Sequence, residues 1–188
     1  SIYSNANLSA EIFGIHSVAG SGTASTRIFN NQIRSLFPGQ SITVGAVARG
    51  IAMSNGIARV YNNFINLDLT QTFVPAAGWG TLAGNVLTAD NALRGVETIG
   101  GTDSLSFNTI RLNGAAAGNF GSSAVMMTGG VTTRMNNNIA VNLSTASGTG
   151  IVAAIRKLPA GPHDATSDRN NLYAGATLAA PYYIYYDG

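Results

Sequence analysis

A short phrase built on asparagine recurs along the chain and constrains its fold more than any other feature. An apolar or aromatic residue is followed by one or more Asn, with Ile or Leu two positions beyond an anchor Asn. The copies are Phe29-Asn30-Asn31-Gln32-Ile33, Tyr61-Asn62-Asn63-Phe64-Ile65, Phe107-Asn108-Thr109-Ile110 and Met135-Asn136-Asn137-Asn138-Ile139, with a weaker Asp168-Arg169-Asn170-Asn171-Leu172. The anchors Asn31, Asn63, Asn108, Asn137 and Asn170 are 32, 45, 29 and 33 residues apart. A second pattern keeps step with the first. Ile51, Val96 and Val125 each stand twelve positions before an anchor, and Ile15 stands sixteen before Asn31. Ser54-Asn55-Gly56, Gly100-Gly101 and Gly129-Gly130 mark turns between the two patterns. After the anchors, Ile65-Leu67-Leu69, Ile110-Leu112 and Ile139-Val141-Leu143 alternate with period two, as half-buried strands do.

One unit therefore reads as strand, glycine turn, strand, asparagine corner, strand and a loop of variable length. Three short strands cannot bury an inner face alone, so units must stack on copies of themselves. Each strand then pairs in parallel with its counterpart, about 4.8 Å away, in the next coil. Asparagines repeated at one corner predict a side-chain ladder along the stack. Uneven spacing follows if insertions are confined to corners. Residues 151–158 predict a strand rather than a helix, because the segment is β-branched and falls in phase with the repeat. The 188 residues predict a single domain, 1–188.

Composition removes several alternatives. Charged residues are 10% of the chain, against about 25% in ordinary soluble domains. Twenty-three Gly and nineteen Asn take their place, which excludes coiled coils and charged helical bundles. The nine Arg are scattered and only Arg156-Lys157 are adjacent, so no basic run suggests nucleic acid. Cys is absent, leaving no disulfide framework or thiolate metal site. No apolar stretch is long enough for a membrane-spanning helix.

On these repeats the chain resembles a right-handed parallel β-helix of the pectin-lyase-like type. More narrowly, it is similar to the Asn-rich repeats of large secreted bacterial surface proteins. Phrases such as Val60-Tyr61-Asn62-Asn63-Phe64-Ile65 and Asp168-Arg169-Asn170-Asn171-Leu172-Tyr173 carry that resemblance. It implies an all-β solenoid of about five to six coils with open ends. Two departures stand out: Asn108 has no Asn before it, and Asp168-Arg169 replace the aromatic-Asn pair.

Enzymes on such scaffolds degrade acidic polysaccharides, so the resemblance raises a lyase or hydrolase. Glycoside hydrolysis needs two carboxyl groups about 5–9.5 Å apart across the scissile bond. Glu11, Asp68, Asp90, Glu97, Asp103, Asp164, Asp168 and Asp187 fill no equivalent slots in adjacent units and form no triad. Asp68 is expected to face outward, and Asp164 and Asp168 to cap turns. His16 and His163 lack the spacing of metal ligands. The expectation is a protein with no enzymatic activity, catalytic residue, metal or cofactor.

Two aromatic features remain. Trp79, between Gly78 and Gly80 in the longest insertion, is either a ligand contact that stacks on a sugar or a cover over an exposed coil. Tyr182-Tyr183-Ile184-Tyr185-Tyr186 has the phase of a unit's first strand. Ile2-Tyr3-Ser4-Asn5 resembles Val60-Tyr61-Asn62-Asn63, so the chain is expected to begin where its last unit breaks off. Unpaired strand edges at the two ends would template another chain. The expected role is an extracellular or cell-surface structural protein, self-associating head to tail into a fibre, layer or adhesin through Ile2, Tyr3, Tyr183, Ile184 and Tyr185. An excised piece of a longer β-helical protein would share those features. The alternative class is a carbohydrate-binding or polysaccharide-degrading exoprotein with a surface polysaccharide as partner.

Overall fold

A computed structural model of the chain describes residues 3–4, 11–18, 25–34, 36–38, 47–69, 89–116, 118–129, 132–159, 164–175 and 180–187. Strand β1 (Tyr3–Ser4) precedes the first turn, which comprises β2 (Glu11–Val18), β3 (Ser25–Phe29) and β4 (Gln32–Arg34). A short β5 (Phe37–Pro38) follows and pairs with β1. The second turn is β6 (Val47–Ser54), β7 (Ile57–Tyr61) and β8 (Phe64–Asp68). The third is β9 (Leu93–Ile99), β10 (Thr102–Ser106) and β11 (Thr109–Asn113). The fourth is β12 (Ser122–Thr128), β13 (Thr132–Asn136) and β14 (Ile139–Asn142). Beyond them lie β15 (Val152–Leu158), β16 (Asn171–Ala174) and β17 (Tyr182–Asp187).

Equivalent strands stack in parallel into three sheets. The first runs β2-β6-β9-β12-β15-β17, the second β3-β7-β10-β13 and the third β4-β8-β11-β14-β16. This is a parallel β-helix, with four turns that carry all three strands among the described residues. The resemblance implies five to six coils; among the described residues the fifth has first- and third-sheet strands, with a bridge of Asp168 to Asn136 of the fourth turn where a second-sheet strand would lie. Residues 151–158 supply strand β15, and the tyrosine-rich segment supplies β17 of the first sheet, in the phase the repeat predicts. The amino-terminal phrase departs from its expected phase. Tyr3 pairs with Phe37 after β4, not with the second-sheet residues that precede an asparagine corner.

Alternation explains which residues make strands. In β7 and β13 exposed and buried residues take turns, and the buried ones line up from coil to coil. Ile28, Val60, Leu105 and Met135 form one interior column, as do Ile33, Ile65, Ile110, Ala140 and Leu172. Like side chains thus stack on like along the axis, and nearly every apolar group among them is removed from water. Burying a side chain of this size is worth about 1.5–3 kcal/mol.

The first sheet faces the third across the interior, and glycine sets their separation. A Cβ on Gly50 would lie 2.7 Å from Ile65 Cγ2, and one on Gly14 would lie 2.7 Å from Ile33 Cγ2. In the fourth turn Ala124 takes this row, and Ala140 replaces the facing isoleucine. Small meets large in three turns and medium meets medium in the next, which keeps the enclosed volume filled. The 45-residue spacing between Asn63 and Asn108 arises from the long connection between β8 and β9, outside the sheets.

Candidate functional site

The asparagine corner joins the second and third sheets. Asn31 Nδ2 donates to Asn63 Oδ1 at 3.0 Å, and Asn63 Nδ2 to Asn108 Oδ1 at 3.0 Å. Asn108 Nδ2 donates to Asn138 Oδ1 at 3.0 Å, and Asn138 Nδ2 to Asn170 Oδ1 at 2.9 Å. Backbone N–H groups at 31, 63, 108 and 138 donate to the same oxygens at 3.0–3.1 Å. Each inner amide also reaches back to a carbonyl of the preceding coil, as Asn108 Nδ2 does to Val60 O at 2.9 Å. The buried amides at 63, 108 and 138 are thereby fully employed.

The ladder runs through Asn31, Asn63, Asn108, Asn138 and Asn170, which corrects the anchor Asn137. That assignment rested on Ile139 filling the inward slot two places later. Ile139 instead pairs with Thr109 and is 44% exposed, while Ala140 lies inward beside Ile110. One extra residue between β12 and β13, three against two between β9 and β10, shifts the corner by one place. The residue before each ladder Asn adopts the left-handed conformation: Asn30, Asn62, Phe107, Asn137 and Arg169 have φ between 54° and 58°. In Asn30-Asn31, Asn62-Asn63 and Asn137-Asn138, then, the first residue makes the bend and the second joins the ladder. Phe107 therefore occupies the bend, and Ser106 takes the outer slot held elsewhere by Phe29 and Tyr61.

The ladder fixes which residues of the second sheet face solvent. Four positions before the ladder Asn of each of the four complete turns stand Arg27, Arg59, Ser104 and Arg134, aligned in register. Two before it stand Phe29, Tyr61, Ser106 and Asn136. The three arginines are exposed, and none forms an ion pair among the described residues. The rings of Phe29 and Tyr61 stack with centroids 5.0 Å apart and planes 2° from parallel. In the third turn both columns shrink to serine. An open notch of about 500 Å³ results, lined by Arg27, Arg59, Tyr61, Ser104, Ser106 and Phe107. Scattered arginines in the sequence conceal this column; its signal is the constant offset of four from the ladder.

The other candidates fall elsewhere. Trp79, Ile2 and His163 lie outside the described residues. Tyr183, Ile184 and Tyr185 lie together on β17; Tyr185 packs on the core while Tyr183 tilts against Tyr186 at 5.1 Å. Tyr3 pairs through its backbone in the separate β1–β5 sheet. His16 stacks on Phe13 at 4.4 Å. Asp68, expected to face outward, is buried at 8% exposure and accepts from Arg111 Nη1 at 2.9 Å. Asp164 caps its turn by accepting from the Thr166 N–H at 2.8 Å.

Two carboxylates that looked unrelated in sequence share a partner. Arg49 bridges Glu11 at 2.9 Å and the buried Glu97, which also pairs with Arg94. Burial lowers the Arg94 pKa, with Glu97 opposing the shift. Asp103 shares the inward row with Ala58 and is 2% exposed. Its Oδ1 accepts from the Ala58 N–H at 3.0 Å, and burial pushes its carboxyl up to about 6. Among the described residues no three His, Asp or Glu side chains converge as metal ligands, and no helix is long and apolar enough to cross a membrane.

The fold and the corner together define a parallel β-helix with an internal asparagine ladder. Neither family models nor curated proteins nor solved structures gave a match to the chain.

Proposed function

We propose that the protein is an extracellular structural β-helix that associates with copies of itself end to end, within a fibre or cell-surface layer. One observation carries the reading: the columns of the first sheet continue sensibly across a join. Among the described residues β2 and β17 each have one neighbour in that sheet. Extending the register from β15–β17 and β2–β6 places the next copy's Phe13 on Tyr183, His16 on Tyr186 and the small Gly14 on Ile184. Aromatic rows would then meet aromatic rows, as Phe29 meets Tyr61 within the chain. Such a heterologous contact propagates without closing. The low charge favours it, because little repulsion opposes stacking.

Sedimentation velocity over a rising concentration series, followed by negative-stain imaging, tests the reading. The expected result is concentration-dependent growth into rods of constant width. Ile184→Pro removes a β17 N–H and should abolish growth while the monomer stays folded by circular dichroism. Monomers alone at the highest concentrations would count against self-assembly.

A further inference from the structure

The outer face of the second sheet carries more than stacking requires. Ladder and interior columns dictate the inward residues there, and the outward ones are free to vary. Arginine nevertheless stands in the same outward slot in three of four turns. Arg27 and Arg59 lie on adjacent strands, about 4.8 Å apart along the axis, and like charges directly opposite repel. Beside them, Phe107 keeps a bulky ring at φ 57°, 60% exposed, where other turns place Asn or Arg. The fold gains neither burial nor relaxed backbone from that residue. Repelling cations and a strained, exposed aromatic flank the same notch.

We propose that this face binds an acidic glycan lying along the solenoid axis. The notch takes one sugar ring. Tyr61 has Phe29 on one face, and its other face looks toward Ser106, whose side chain is too short to cover it. That ring face and Phe107 receive the apolar face of the sugar, and the Ser104 and Ser106 hydroxyls bond its hydroxyls. Arg59 and Arg27 bind carboxylate or sulfate groups by charge-assisted hydrogen bonds. Arg134, two strand spacings beyond Arg59, meets a later acidic group of the same chain. A single-stranded nucleic acid fits less well, because it uses a succession of free ring faces and here Phe29 and Tyr61 cover each other. The face runs parallel to the axis, so it stays open whether or not copies stack.

Calorimetric titration of the whole protein at low salt tests this with three probes: a sulfated uronate octasaccharide, a neutral glucose octasaccharide and a single-stranded oligonucleotide of matched charge. The sulfated chain should bind at least about tenfold more tightly than either of the others. Ser104→Leu fills the notch without altering charge and should weaken that binding about tenfold, as should Arg59→Gln. Phe107→Asn should weaken binding while raising the melting temperature, a combination no folding defect produces. Equal affinity for the neutral chain or for the oligonucleotide overturns the proposal. So does full affinity in Ser104→Leu, which would reduce the face to a general cation column.

Discussion

Gly95 lies against Ile110 across the interior of the solenoid. A Cβ on Gly95 would overlap Ile110 Cγ2 and fall 2.5 Å from the carbonyl oxygen of Ala124 in the next turn. Two obstacles of different kinds thus keep this position glycine. A side chain can be trimmed, whereas the carbonyl belongs to the stack itself. Gly95→Ala is expected to cost about 2–3 kcal/mol by overpacking. Adding Ile110→Ala should recover only part of that loss, because the carbonyl remains. Denaturant unfolding of the single and double variants measures both quantities.

Of the two neighbouring asparagines at the fourth corner, only one should matter to stability. Asn138→Ala removes the acceptor for the backbone N–H and side-chain amide of the buried Asn108, both at 3.0 Å. With each of the two buried donors left unpaired costing about 1–3 kcal/mol, the loss should be about 2–6 kcal/mol. Asn137→Gly changes a residue at φ 55° that belongs to the bend, so stability should stay within about 0.5 kcal/mol of the parent. Thermal melts of the two variants decide which residue is in the ladder.

Phe107 holds a conformation that Asn adopts with less strain. For an ordinary residue the left-handed region costs about 1–2 kcal/mol. Phe107→Asn should therefore stabilise the protein by about 1 kcal/mol, read as an increase in the denaturation midpoint. A destabilised variant would mean that the ring packs on something that offsets its strain.

Asp103 makes stability depend on pH. Burial raises its carboxyl from 3.8 to about 6 in the folded protein, against the opposing Ala58 hydrogen bond. A raised folded value means that the folded state holds the proton more tightly. The resulting stabilisation is complete below about pH 4 and is lost as pH climbs through about 6. Unfolding free energy should fall by about 3 kcal/mol at most between pH 4 and pH 7 from this group. Asp103→Asn should flatten that slope, and denaturant midpoints across the interval test it. An unchanged slope in the variant would place the titration elsewhere.

The repeat made the architecture readable from the chain alone. Asparagines in phase with aliphatic residues and glycine turns leave few folds but a stacked coil, since no unit can bury its own inner face. Four of the five ladder positions are legible in the sequence, Asn31 and Asn63 from a doubled Asn that marks bend and ladder together, Asn108 and Asn170 from the Ile or Leu two places on. The fifth was misread through Ile139: an outward isoleucine and an inward Ala140 look reversed to a reading based on hydrophobicity. Asp103 was equally hidden, because a place near a glycine turn gives no sign that its side chain shares the inward row with Ala58.

By itself, then, the order of residues determined that strands would form, how many places apart they would recur and which corner would carry the amides, because these depend on local period and turn chemistry. Only tertiary structure decided what meets across coils, Arg27 beside Arg59 and Tyr61 above Ser106, and what meets across the interior of one coil, Gly95 against Ile110. The contacts between coils join residues about thirty to forty-five positions apart. They depend on how many residues each turn and loop absorbs, and a change of one place rotates a side chain from the interior to the surface.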